Sequence, residues 1–185
     1  MPKPAKTPGP QPENPEQLLI EAEVTLNQWR LLPNDEATAE LTAAALPGGN
    51  IILPLARWQE LRDELASRRD EIGVWLESDE SAELLGEAAK ELPLIAVHFP
   101  AFGDGRGFTT GRLLRERFGF SGELRAVGNF MRDQLSYLRR CGFNAFAYQG
   151  SQPLEELAKS LQDFSDSYQA ATDQPEPLFR RRALA

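Results

Sequence analysis

Residues 94–117 read LIAVHFPAFGDGRGFTTGRLLRER. The run LIAVHF is continuous enough to predict a strand covered on both faces, as in the centre of a parallel sheet. A loop carrying Gly103, Gly105 and Gly107 follows, and after it a helix over residues 109–118, closed by Gly119. Strand, glycine loop and arginine-bearing helix in that order predict the α/β class, with this stretch at its middle.

The same alternation extends both ways. Upstream, residues 51–55 and 73–77 read as short buried strands, and residues 56–71 and 80–92 as helices, the second capped by Ser78 or Asp79 and stopped by Pro93. Residues 23–32 make a weaker strand, and residues 35–46 a short helix capped by Asn34 or Asp35. Downstream, strands are expected over 124–127 and 145–148, with helices over 129–141 and 153–164. Alternation repeated this often implies right-handed β-α-β units around a mainly parallel sheet. Two closures are open: a doubly wound sheet, or a partial or shortened β/α barrel, since a full barrel usually needs about 250 residues.

One α/β domain over residues 18–168 is the expected organisation of a 185-residue chain. Residues 1–17 hold six prolines and no large apolar side chain apart from Met1, so a disordered arm is expected there. Residues 169–185 read as an irregular tail ending LFRRRALA, in which Arg180, Arg181 and Arg182 are either solvated or dock a partner.

The formal net charge of −8 argues against a general nucleic-acid or anionic-membrane binder. Residues 101–150 are a local exception, with eight arginines, four acidic residues and no lysine. One cysteine, Cys141, and one histidine, His98, leave no four-cysteine metal site and speak against a soft-metal site of any kind. Cys141 reads as a buried structural thiol, because a helix C-terminus opposes the thiolate. Neither a secretion signal nor an apolar run of about 18 residues occurs, so a cytoplasmic location is expected.

Ligands of such sheets collect at the carboxyl ends of the strands. There Gly103, Gly105 and Gly107 would let a backbone approach an anion, Thr109 would help cap the helix, and the helix N-terminus would add partial positive charge. The opposing reading is a tight turn in which Asp104 bonds its own backbone and Arg106 pairs with a carboxylate. Arg106, Arg112, Arg125 and Arg132 would sit near strand ends, where a guanidinium fork suits an oxyanion. Asp104, Asp133 and His98 are the candidate acids or bases. Asp133 has an ion pair with Arg132 as its alternative, and His98 a structural hydrogen bond. Neither GxGxxG nor GxxxxGK[ST] is present, which speaks against a tightly bound dinucleotide.

The stretch FPAFGDGRGFTTGRLLRERFGFSGELRAVGNFMRDQLSYLRRCGFNAF resembles the hallmark of a bacterial family catalogued as domain of unknown function 934. The family's FxDGRGxS-like loop is matched by Phe102, Asp104, Gly105, Arg106 and Gly107, with Thr109 in place of serine. Its VGDxLRDQL run is matched at Arg132, Asp133 and Gln134, with Asn129 where the family carries aspartate. Members are commonly encoded beside assimilatory sulfite reductase, and some carry an oxidoreductase label. The resemblance implies an accessory protein of sulfate or sulfite reduction, binding an anionic ligand or the reductase through residues 103–117. Its alternative is a small oxidoreductase with a dissociable flavin or nicotinamide. It implies no particular cofactor or catalytic residue.

Overall fold

The computed structural model describes residues 11–161 and 167–183. The first ten residues of the arm expected over 1–17 and the end of the helix expected to reach Phe164 lie outside them. Eight strands form one sheet: β1 (Gln17–Ile20), β2 (Glu23–Leu26), β3 (Arg30–Leu31), β4 (Ile51–Pro54), β5 (Ile72–Leu76), β6 (Leu94–Phe99), β7 (Glu123–Gly128) and β8 (Ala145–Tyr148). Among the described residues six α-helices accompany them: α1 (Glu36–Glu40), α2 (Leu55–Leu61), α3 (Arg106–Glu116), α4 (Leu135–Arg140), α5 (Leu154–Ser160) and α6 (Leu178–Ala183).

Strand order is β2-β1-β8-β7-β6-β5-β4-β3. From β3 to β8 every neighbour is parallel and sequential, so the order contains none of the reversal that a doubly wound sheet requires. The two sheet edges are then joined by chain. Residues 27–29 alone connect β2 at one edge to β3 at the other, which limits their separation to about 14 Å at about 3.6 Å per residue. A flat sheet of this many strands would hold its edges about 34 Å apart at about 4.8 Å per strand. The sheet therefore curls back on itself, as the shortened barrel required. Across the seam, Asn14 Oδ1 accepts from Asn27 Nδ2 at 2.9 Å and from the Leu31 amide at 3.4 Å.

Those contacts correct two expectations about the ends of the chain. Residues 11–17 are built in, with Gln11 accepting from the Asn34 amide and Gln17 opening β1. The tail is not irregular throughout, because Leu178–Ala183 is helical and its first amide donates to Tyr168 O. The β1–β2 hairpin had no sequence signal because Glu21 and Ala22 take positive φ of 48° and 73°, a turn ordinarily marked by Asn-Gly.

Side chains alternate between two faces. Ile51, Leu53, Val74, Leu76, Ile95, Val97, Leu124 and Ala126 join the larger cluster, shared with the helices. Leu31, Ile52, Trp75, Leu94, Ala96, Val127 and Ala147 fill the inner face. Arg125 shares that inner face, 2% exposed, with its Nε on Glu123 Oε1 at 2.7 Å and a terminal amine on Asn27 Oδ1 at 3.0 Å. It is thus a buried mid-strand ion pair and not a strand-end anion ligand.

The outer layer is thinner than the periodicity predicts. The helix expected over 80–92 is two 3-10 turns, Ala82–Leu84 and Gly86–Glu91, interrupted by Gly86 at a φ of 54°. The helix expected over 56–71 becomes α2 followed by the 3-10 segment Ala66–Glu71. Shortened crossovers are what let eight strands fit this length.

Candidate functional site

The carboxyl ends of β5 to β8 bring four loops together. The loop after β6 is closed by its own charges. Asp104 Oδ2 lies 2.6 Å from Arg106, Asp104 Oδ1 accepts from Arg106 Nε at 2.9 Å, and the same oxygen accepts from the Arg106 amide at 3.2 Å. Arg106 also donates to Ser78 Oγ at 2.9 Å. The guanidinium holds the Asp104 carboxyl well below the usual carboxylate range, and the carboxylate in turn raises Arg106. Asp104 therefore occupies the amide at the start of α3 where an external anion would bind, as the tight-turn reading expected.

The three glycines of this loop differ. A Cβ on Gly103 would meet nothing within 4 Å and one on Gly105 would meet only Phe108 at 3.9 Å, whereas one on Gly107 would stand 2.6 Å from the Phe99 ring. Gly107 is a packing residue of the helix. Thr109 provides no cap, since α3 has no side-chain N-cap bond and Asp104 does that work from outside the helix. Arg112 donates to Glu116 at 2.9 Å and faces the α4 side of the helix layer, away from the strand ends. Arg115, Arg139 and Arg140 bond backbone carbonyls; burial pulls the Arg115 guanidinium down. Cys141 is buried, and desolvation pushes its thiol up.

His98 closes the inner face at the end of β6. Its Nδ1 lies 2.8 Å from Glu77 Oε2, and Trp75 meets its ring edge to face at 5.8 Å. Its Nε2 is buried without a partner among the described residues, as are Gln149 Nε2 and Gln152 Oε1 in the loop after β8. Burying polar atoms unpaired is costly, so these three are places where a water or a ligand would be bound.

Asn129 Nδ2 donates to Pro100 O at 3.1 Å and Gln134 Nε2 to Phe102 O at 2.9 Å, tying the loops after β6 and β7 together. Beside them a recess of about 470 Å³ is lined by Pro100, Phe102, Gly128, Asn129, Tyr148 and Gln149. A second recess, of about 650 Å³, shares Met131 and Tyr148 with it and adds Arg132, Asp133, Ser136, Ser151 and Ser160. Arg132 does not pair with Asp133. Its Nε donates to Ser160 Oγ at 2.7 Å, and its terminal amines have no partner among the described residues.

Of the residues expected at the site, Asp104 and Arg106 meet in one cluster that Ser78 joins, His98 meets Glu77, and Arg132 and Asp133 line a recess. Glu77, Ser78, Gly128, Tyr148, Gln149 and Ser160 were not legible as site residues. Their only signal is position in the loops or helices that follow predicted strands. No group of three or more His, Cys, Asp or Glu among the described residues could hold a metal ion. No described helix is long and apolar enough to cross a membrane.

Fold and site together define a barrel-like α/β protein with a polar, partly unsatisfied face at its strand carboxyl ends. No curated protein and no solved structure matches the chain. The chain belongs to the bacterial family of unknown function DUF934, whose family model matches residues 73–179, more than half of its length.

Proposed function

We propose that this protein is an accessory factor of assimilatory sulfite reduction that binds a small oxyanion, and through it the reductase, at the carboxyl-end face. The observation that carries the oxyanion reading is Arg132. Its guanidinium is oriented by Ser160, keeps its terminal amines without protein partners among the described residues, and lines a recess with three serines and a tyrosine. A planar fork among hydroxyls suits a tetrahedral or trigonal oxyanion. The link to sulfite reduction rests on the family resemblance carried by residues 102–107 and 132–134.

The proposed site lies beside the Gly/Arg loop rather than on it, because Arg106 is engaged by Asp104 and Ser78. Sulfite binding by calorimetry, and co-elution with the host's sulfite reductase at low and high salt, test the reading. Salt-sensitive co-elution and sulfite binding that Arg132→Ala removes and Arg106→Ala retains would support it. Retention of both by Arg132→Ala would refute it, and a flavin or nucleotide spectrum in the purified protein would favour the oxidoreductase reading instead.

A further inference from the structure

The chain's one histidine is satisfied on one side only. Nδ1 of His98 lies 2.8 Å from Glu77 Oε2, its side chain is 2% exposed, and Nε2 has no partner among the described residues. A carboxylate accepts, so Nδ1 carries the proton, and in the neutral ring Nε2 then presents its lone pair. Gly128 lies directly against that nitrogen, where a Cβ would stand 3.0 Å from Nε2 and 2.7 Å from Cδ2. Gly128 also takes a φ of 94° and lines the recess of about 470 Å³. Gly128 thus adjoins both the buried nitrogen and the recess, and glycine is the residue whose backbone rotates at least cost.

We propose that His98 Nε2 reads a proton on the ligand: the recess over Gly128 takes an oxyanion that keeps one proton at neutral pH, and rejects one that has none. This rests on the oxyanion reading above and names the class of anion. The Nε2 lone pair, with the Glu77 carboxylate behind the ring, opposes a fully deprotonated oxyanion. An O–H in the same place donates to Nε2 and relieves the unpaired acceptor. Reaching the nitrogen requires the Gly128 to Asn129 peptide to turn, which exchanges the Asn129 amide's 2.7 Å bond to Phe99 O for contacts with the ligand. Arg132, in the adjoining recess that shares Met131 and Tyr148, draws the anion to this face.

Inorganic phosphate and sulfate test this directly, being similar in shape while only phosphate keeps a proton at pH 7. Full-length protein labelled with ¹⁵N-histidine reports a single imidazole. Without added anion, Nδ1 is expected to be protonated and Nε2 not. Phosphate should shift the Nε2 resonance saturably and bind about tenfold more tightly than sulfate, the scale of one charge-assisted hydrogen bond. Glu77→Gln, which no longer imposes the tautomer, should bring the two affinities to within about twofold. A protonated Nε2 at rest, phosphate binding that leaves Nε2 unmoved, or an unchanged preference in Glu77→Gln would overturn the proposal. Equal binding of the two anions to wild type would also overturn it while leaving the Arg132 reading standing, whereas binding of neither would remove both.

Discussion

The two halves of the carboxyl-end face treat charge in opposite ways. In the loop after β6, Asp104, Arg106 and the first amide of α3 satisfy one another, with Ser78 from the loop after β5. Across the recess, in the loops after β7 and β8, Arg132 keeps free amines among the described residues, and Gln149 and Gln152 bury unpaired atoms. The half with the more conspicuous sequence is the more self-contained. A glycine-rich, charged loop can be a structural knot, and binding capacity is measured by what remains unpaired after folding.

Substitutions can break that contrast, and the largest effect is expected from packing. Gly107→Ala should destabilise the protein by about 2 kcal/mol in chemical denaturation, because its Cβ would meet the Phe99 ring in a filled core. Gly103→Ala, four residues earlier and in open space, should change stability by less than about 0.5 kcal/mol. Equal effects at the two positions would show that the loop's glycines serve a common backbone purpose.

The next effect is electrostatic. A double-mutant cycle on Asp104→Asn and Arg106→Gln should give a coupling of about 1 kcal/mol, modest because Arg106 is more than half exposed. Asp104 has its folded-state pKa depressed below its ordinary 3.8, so its contribution is fully present above about pH 4 and is lost as pH falls through the lower folded value. Denaturation midpoints at pH 7 and pH 3 should therefore differ less in Asp104→Asn than in wild type. An identical difference would mean that the pair contributes nothing measurable.

The smallest stability effect sharpens the contrast from the other side. Arg132→Ala should shift stability by less than about 0.5 kcal/mol, since it leaves only Ser160 to find another partner, yet it should weaken sulfite binding about tenfold or more. A large loss of stability would make Arg132 structural, like Arg115 and Arg125.

Some of the site was legible because its cause is local. Asp104 two residues before Arg106 can reach back to the α3 amide whatever the rest of the chain does, and Asp35 caps α1 by the same local geometry. His98 followed the same logic less far: a strand-end histidine was readable as hydrogen-bonded, but Glu77 lies 21 residues earlier and only strand pairing brings it near. Arg125 misled because an arginine in a strand reads as surface or site until the inward register, the seam residue Asn27 and the Glu123 carboxylate bury it.

The sequence by itself determined the α/β class and the strands β4 to β8, and offered the self-paired loop as one of two readings, since hydrophobic runs, turn glycines and short-range hydrogen bonds are properties of neighbouring residues. Only the tertiary structure decided that the sheet curls, which arginines are spent on carbonyls, and that His98 keeps an unpaired nitrogen under Gly128. Those depend on strand order and on which distant groups meet once it is set. A three-residue link between the two edges forces the curl, and the curl chooses which polar atoms find partners and which are left for a ligand.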